Sequence, residues 1–265
     1  MSTPDTIVLI HGFWVTPRSW EHWIAHYEKR GYRVLAPAYP GLEAEVESLN
    51  ADPDAHRTGH RRADRREPGN PGPRTGQAAD PHRPLRRRRL RAAPARPRSG
   101  RGGVAICSAA TEGVAVVPLT QIKSAFPVLK NPANRHRAVG LNAEQWHYTF
   151  TNTLSEEESR TLYERYAVPA SGGIFWDSAL ATLRPGHQST YVDYHNDDRA
   201  PLLFVSGEND HLMPPKVQQS NARHYKSDTV TEIKEFPGRP HLLPAAPGWE
   251  EVADYALDWA ASHAR

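Results

Sequence analysis

Residues 55–103 hold fifteen arginines against three acidic residues, Asp64, Glu67 and Asp80, and contain no Val, Ile, Phe, Tyr or Trp. No other feature constrains the fold as strongly. A stretch with two leucines and a scatter of alanines cannot bury enough apolar surface to offset the entropy of ordering it. Taken as written, it has the composition of a disordered chain. It also accounts for the basic character of the whole. The net charge is +3, yet the rest of the chain carries 18 basic and 27 acidic residues, a net of −9.

The flanks have the opposite character. Residues 7–10, Ile-Val-Leu-Ile, form a short apolar run suited to a buried parallel strand. Thr16 is placed to cap a helix that begins at Pro17 and stops near Gly31, with Trp20, Trp23 and Tyr27 at helical spacing. Residues 33–36 read as a second strand, and residues 104–107 as a third. Residues 118–185 are mostly helical in character, and Ser155 to Glu158 spells a capping box that opens a helix to Tyr166. A strand over 201–205, a helix over 215–225, a strand over 230–236 and a closing helix over 249–263 complete the pattern. Strands alternating with helices predict an α/β fold, a doubly wound and mostly parallel sheet. The expected organisation is a core of residues 1–117 and 186–265 with a helical cap over 118–185, the arginine segment of 54–103 standing apart.

In such sheets the ligand site lies past the carboxyl ends of the strands. His11, Asp210 and His241 all fall there. An acid after one strand and a histidine after the next are two members of a nucleophile–base–acid relay. The backbone of Gly12, Phe13 and Trp14 can offer an oxyanion donor, with Gly12 permitting close approach. His11 reads as a structural member of that loop, and His211 as a neighbour of Asp210. Cys107, at a strand end, reads as a packing residue rather than a nucleophile. Phe126, Trp146, Tyr148, Phe150, Phe175 and Trp176 are candidates to line a pocket beneath the cap or to pack it against the sheet. The fourteen histidines show no metal-ligand spacing, and the chain shows no phosphate loop or dinucleotide fingerprint, so no cofactor is expected.

The stretches IVLIHGFW (7–14), GENDHLMPP around Asp210 and FPGRPH ending at His241 resemble the α/β-hydrolase family. The resemblance implies a hydrolase acting on an ester or similar acyl bond of a small molecule. Asp210 would orient His241, and residues His11, Gly12, Phe13 and Trp14 would form the oxyanion loop. It also implies a serine on a Gly-x-Ser-x-Gly turn between the second strand and the 104–107 strand. The arginine segment occupies that place, and no Gly-x-Ser-x-Gly occurs anywhere.

Codon arithmetic offers a reason. Read one nucleotide later, each new codon takes the last two bases of one residue and the first base of the next. From Asp80 the shifted frame permits Ile-Leu-Ile-Gly-His-Ser-x-Gly-Gly, a buried strand and a nucleophile elbow, with the serine arising at Leu85. Glycine- and alanine-rich GC codons become arginine codons under the same shift. Residues 54–103 are therefore expected to be out of frame between two compensating changes, and the chain as written is expected to be inactive. Two other readings remain open. One is a non-catalytic homologue whose basic, disordered insertion binds an acidic partner, although the absence of aromatic residues there argues against a nucleic-acid role. The other is a different reaction on the same fold, such as a lyase or a cofactor-free haloperoxidase-like activity. A single cysteine, no signal-like N-terminus and no bilayer-length apolar run point to a cytoplasmic protein away from membranes. The sequence leaves the oligomeric state open.

Overall fold

Each expected strand and helix of the flanks is present in the computed structural model, which describes residues 5–52, 102–181 and 190–264. The chain opens with strand β1 (Thr6–Val8) and a 3-10 turn, Pro17–Trp20, that leads into helix α1 (Glu21–Lys29). Thr16 caps that turn by accepting from the Arg18 N–H, and Gly31 ends the helix region at φ +86°. Strand β2 (Arg33–Leu35) and a short helix α2 (Val46–Ala51) follow. After the arginine segment come β3 (Gly103–Ile106), α3 (Leu119–Leu129), β4 (Ala138–Val139), α4 (Ala143–Phe150), α5 (Glu156–Tyr166), β5 (Ala170–Ser171) and α6 (Gly172–Ala181). The last third holds β6 (Leu202–Gly207), α7 (Pro215–His224), β7 (Thr231–Phe236) and α8 (Trp249–His263).

Two parallel sheets result among the described residues: β1 with β2, and β3-β6-β7 with β6 at the centre. Strand β6 is buried on both faces, with Leu203, Phe204 and Val205 all almost fully covered. Leu203 and Val205 pack into one core with Trp20, Trp23 and Tyr27 and with Val252, Ala253 and Ala256 of α8. Phe204, pointing the other way, meets Tyr225 at the end of α7. Helices therefore cover both faces, as a doubly wound sheet requires. The Tyr27 hydroxyl donates to the Ala253 carbonyl, and His26 and Arg30 both reach Asp254, which ties α1 to α8. A second core gathers Trp14, Trp146, Phe150, Tyr166, Leu212 and Leu242, and so joins the helices after residue 118 to the loops past β1, β6 and β7.

Two expectations need correction. The 7–10 run is not a fully buried strand: β1 ends at Val8, and Val8 and Ile10 are 55% and 50% exposed. The side of β1 away from β2 has no strand beside it among the described residues, which leaves these side chains uncovered. The 118–181 region is mostly helical, as read, with one short antiparallel pair, β4 and β5, across it. Strand β6 runs two residues further than the 201–205 reading, because its pairing with β7 continues through Gly207 and Phe236. The capping box at Ser155 and Glu158 forms as read, with both reciprocal hydrogen bonds. Among the described residues no helix is long and apolar enough to cross a membrane.

Candidate active site

The acid and the histidine meet at the carboxyl end of the β6–β7 pair. Asp210 is buried, and its Oδ2 lies 2.7 Å from His241 Nδ1. Its other oxygen, Oδ1, accepts from the backbone N–H groups of Leu212 at 2.8 Å and Met213 at 2.7 Å. The carboxylate thus has a fixed orientation, and Nδ1–H of the histidine donates to it. That fixes the tautomer: the lone pair falls on Nε2, the nitrogen that a general base uses. Among the described residues Nε2 makes no hydrogen bond, and the His241 side chain retains 15% exposure. The Phe150 ring stands edge-on to the imidazole at 5.0 Å, and the Leu242 N–H donates to the Phe150 carbonyl.

Hydrogen bonds lace the two loops together. Asn209 N–H donates to the Arg239 carbonyl, and Gly238 N–H to the Glu208 carboxylate. Arg239 in turn holds Glu251 and the Pro247 carbonyl, so the histidine loop is anchored to the start of α8. Gly207 sits where these strands of chain cross. Its role was not read from the sequence, although its position immediately after the strand and before Asp210 was the available signal.

The Gly12–Trp14 loop lies past β1. His11 is buried, its Nδ1 facing the Gly12 carbonyl at 2.9 Å while Nε2 accepts from the Tyr39 N–H at 3.2 Å. One neutral tautomer satisfies both contacts, so His11 ties the loop after β1 to the loop after β2 and is no base. Burial lowers its pKa, against smaller backbone contributions that raise it. A folded-state pKa below the unfolded value means that the unfolded chain takes up this proton first as pH falls. The contribution is fully present above about pH 6.5 and is lost below it. Denaturant midpoints at pH 7.5 and 5.5 are expected to differ less in His11→Gln than in the parent. Equal pH sensitivity in the two would rule out this role. Trp14 adopts φ +62°, unusual for a bulky residue. Its indole donates to the Val139 carbonyl and its own carbonyl accepts from Val168, so the helical region holds the strained residue in place. Phe13 packs on Phe175 at 5.1 Å. Phe126, by contrast, is 58% exposed and joins no core cluster among the described residues, contrary to its reading as a pocket or packing residue. Helix α3 buries Ala125 and Val128 instead. His211 is a tie, its Nδ1 near the Tyr148 carbonyl at 2.8 Å.

Cys107 stands closer to the pair than its sequence position suggested. It follows β3 at φ +45°, and its sulfur lies with one ligand atom each of Asp210 and His241 inside a 4.8 Å group. The set suits neither a nucleophile nor a cation. Burial pushes the thiol well above its ordinary pKa and the Asp210 carboxylate pushes it further, the reverse of what activates a cysteine. A cation would have to compete with the hydrogen bonds that already occupy His241 Nδ1 and both Asp210 oxygens. In the folded chain Cys107 is expected to resist iodoacetamide and to react once urea unfolds it. Prompt stoichiometric labelling under native conditions would contradict this placement.

Leu85, where the sequence reading puts the nucleophile, lies outside the described residues, as does the rest of 53–101. The chain belongs to the alpha/beta hydrolase family, which matches it over residues 7–255. Solved structures share this fold. An extracellular α/β-hydrolase from a Paenibacillus species aligns over 97% of this chain and 99% of its own at 16% identity, with a TM-score of 0.55. A pyrethroid hydrolase from Sphingobium faniae aligns over 96% of each chain at 14% identity, with a TM-score of 0.52. A thermophilic esterase from Thermogutta terrifontis aligns over 97% of this chain and 89% of its own at 15% identity, with a TM-score of 0.51. A comparison with curated proteins finds no match.

Proposed function

We propose that this gene's product is a serine-type hydrolase of an ester or similar acyl bond in a small molecule, and that the chain as written lacks its nucleophile. The observation that carries this reading is the Asp210–His241 pair, buried on the acid side and fixed in the tautomer a base requires. His241 Nε2 takes the proton of a serine hydroxyl as the oxygen attacks the acyl carbon. It returns that proton to the leaving alcohol as the acyl-enzyme forms. Water then repeats the sequence to release the acid. Asp210 stabilises the imidazolium throughout, and the backbone of Gly12, Phe13 and Trp14 is the candidate donor to the oxyanion. The serine comes from the reading one nucleotide on, where the Leu85 codon contributes to Ser in Gly-His-Ser-x-Gly-Gly.

A fluorophosphonate probe tests this. It is expected to label the restored-frame protein at that serine and to leave the chain as written unlabelled. Leu85→Ser alone is expected to stay unlabelled, because Pro84 and Arg86 would replace the elbow's small and polar neighbours. A restored protein that folds but takes no label would overturn the proposal.

A further inference from the structure

Five of the eleven large apolar side chains that stand exposed among the described residues fall in one stretch, 116–126. Within it Leu119, 83% exposed, Ile122 and Phe126 recur three and four residues apart, so α3 carries them on one face. The opposite face buries Ser124, Ala125 and Val128. It packs toward the acid loop: the Ser124 hydroxyl donates to the His211 carbonyl at 3.3 Å, and the Gln121 amide reaches Met213 Sδ at 3.4 Å. The helix is thus anchored from within while its outward ridge is apolar, and a contiguous exposed apolar patch marks a contact surface. Charge indicates which contact. Residues 113–143 hold Lys123, Lys130, Arg135 and Arg137 and no Asp or Glu, although the chain outside 55–103 is net −9. Lys123 follows Leu119 by four residues and Lys130 follows Phe126 by four, which puts both exposed lysines beside the apolar ridge. Lys123 Nζ lies 3.8 Å from the centre of the Tyr148 ring, and Arg135 is 3.5 Å from Asp177.

We propose that this face of α3 docks the protein on an anionic lipid surface. The helix lies along the surface, with Leu119, Ile122 and Phe126 entering the boundary between headgroups and acyl chains. Lys123 and Lys130 reach the headgroup phosphates beside them. Charge complementarity selects this occupant. A second copy of the chain would bring the same lysines to the same ridge, and like charges in contact oppose the pairing. A nucleic acid would meet the cations but gain nothing from three outward apolar side chains. An anionic bilayer satisfies both, since its phosphates meet the lysines and its acyl chains cover the ridge. Lying on a surface needs no bilayer-length apolar run, so the lack of one among the described helices does not bear on it. The proposal rests neither on the shifted reading nor on the proposed reaction.

The arginines of residues 55–103 can also draw the chain to anionic vesicles, so the test reads the surroundings of the helix rather than binding alone. An environment-sensitive nitrobenzoxadiazole label is placed on the full chain at Leu119→Cys, and in a separate sample at Asp258→Cys, an exposed position on α8. Vesicles of equal parts phosphatidylglycerol and phosphatidylcholine are added. Emission from residue 119 is expected to shift to the blue and rise at least about twofold, and emission from residue 258 to stay as in water. Ile122→Ser with Phe126→Ser is expected to raise the lipid concentration for half response about tenfold. Lys123→Gln with Lys130→Gln is expected to raise it about thirtyfold. All four side chains are exposed, so neither pair of changes disturbs the core. A chain that sediments with the vesicles while emission at residue 119 stays unchanged overturns the proposal, as does a chain that does not sediment. An equal response at residues 119 and 258, or an unchanged half response in either pair, also overturns it. So does a blue shift at residue 119 that grows with protein concentration in the absence of lipid, since a second copy then covers the ridge.

Discussion

Restoring the frame across residues 54–103 is expected to raise the kcat for a p-nitrophenyl ester by about 10⁶-fold, the scale on which loss of a triad serine is felt. On the proposed reading the gap is this large because a nucleophile, base and acid act as a unit. Asp210 already holds His241 at 2.7 Å, but a base with no hydroxyl to deprotonate accelerates nothing. His241→Ala in the restored protein is expected to lose most of the gain, and the same change in the chain as written is expected to alter nothing. The restored protein is also expected to unfold at a higher denaturant concentration, since the shifted reading supplies apolar residues where residues 55–103 as written hold no Val, Ile, Phe, Tyr or Trp. Hydrolysis by the chain as written that disappears in His241→Ala would defeat this account, because it would place a working nucleophile among residues not assigned one.

Much of the fold was legible because its signals are local. Thr16 before Pro17, and Ser155 three residues ahead of Glu158, fix helix starts through hydrogen bonds that span a single turn. The closing helix was read to the residue because Val252, Ala256 and Trp259 recur on one face. Strand ends were less legible. Where β6 stops depends on how far β7 stays in register beside it, and nothing within the strand's own residues says so. The exposure of Val8 and Ile10 was illegible for a related reason: an apolar run announces a wish for burial, and whether a neighbour supplies it is decided elsewhere in the chain. The meeting of Asp210 and His241 was legible from their places after successive strands. The approach of Cys107 was not, because only the pairing of β3 with β6 brings residue 107 beside residue 210.

Gly207→Ala is expected to destabilise the protein by about 3 kcal/mol, at the upper end of what overpacking costs. In the restored protein it should also lower kcat by about 10²-fold. A Cβ at this position would stand 2.5 Å from the carbonyl oxygens of both Arg239 and Pro240. Neither is the loose end of a side chain. The Arg239 carbonyl accepts from Asn209, next to the acid, and Pro240 precedes the base, so the backbone has to yield just where the pair is set. The methyl group would therefore act as a wedge between the acid loop and the histidine loop, lengthening the 2.7 Å contact between them. Gly238→Ala is the informative control. That residue has φ +69° with open space around it, so alanine there incurs only the left-handed penalty, about 1–2 kcal/mol, and displaces neither loop. The two variants should consequently separate: both lower the urea midpoint, but only Gly207→Ala should cost far more activity than stability alone explains. If Gly207→Ala keeps the parent's midpoint and rate, the crossing of the two loops is not what holds Asp210 against His241, and the hydrogen bonds from Leu212 and Met213 must hold the acid by themselves.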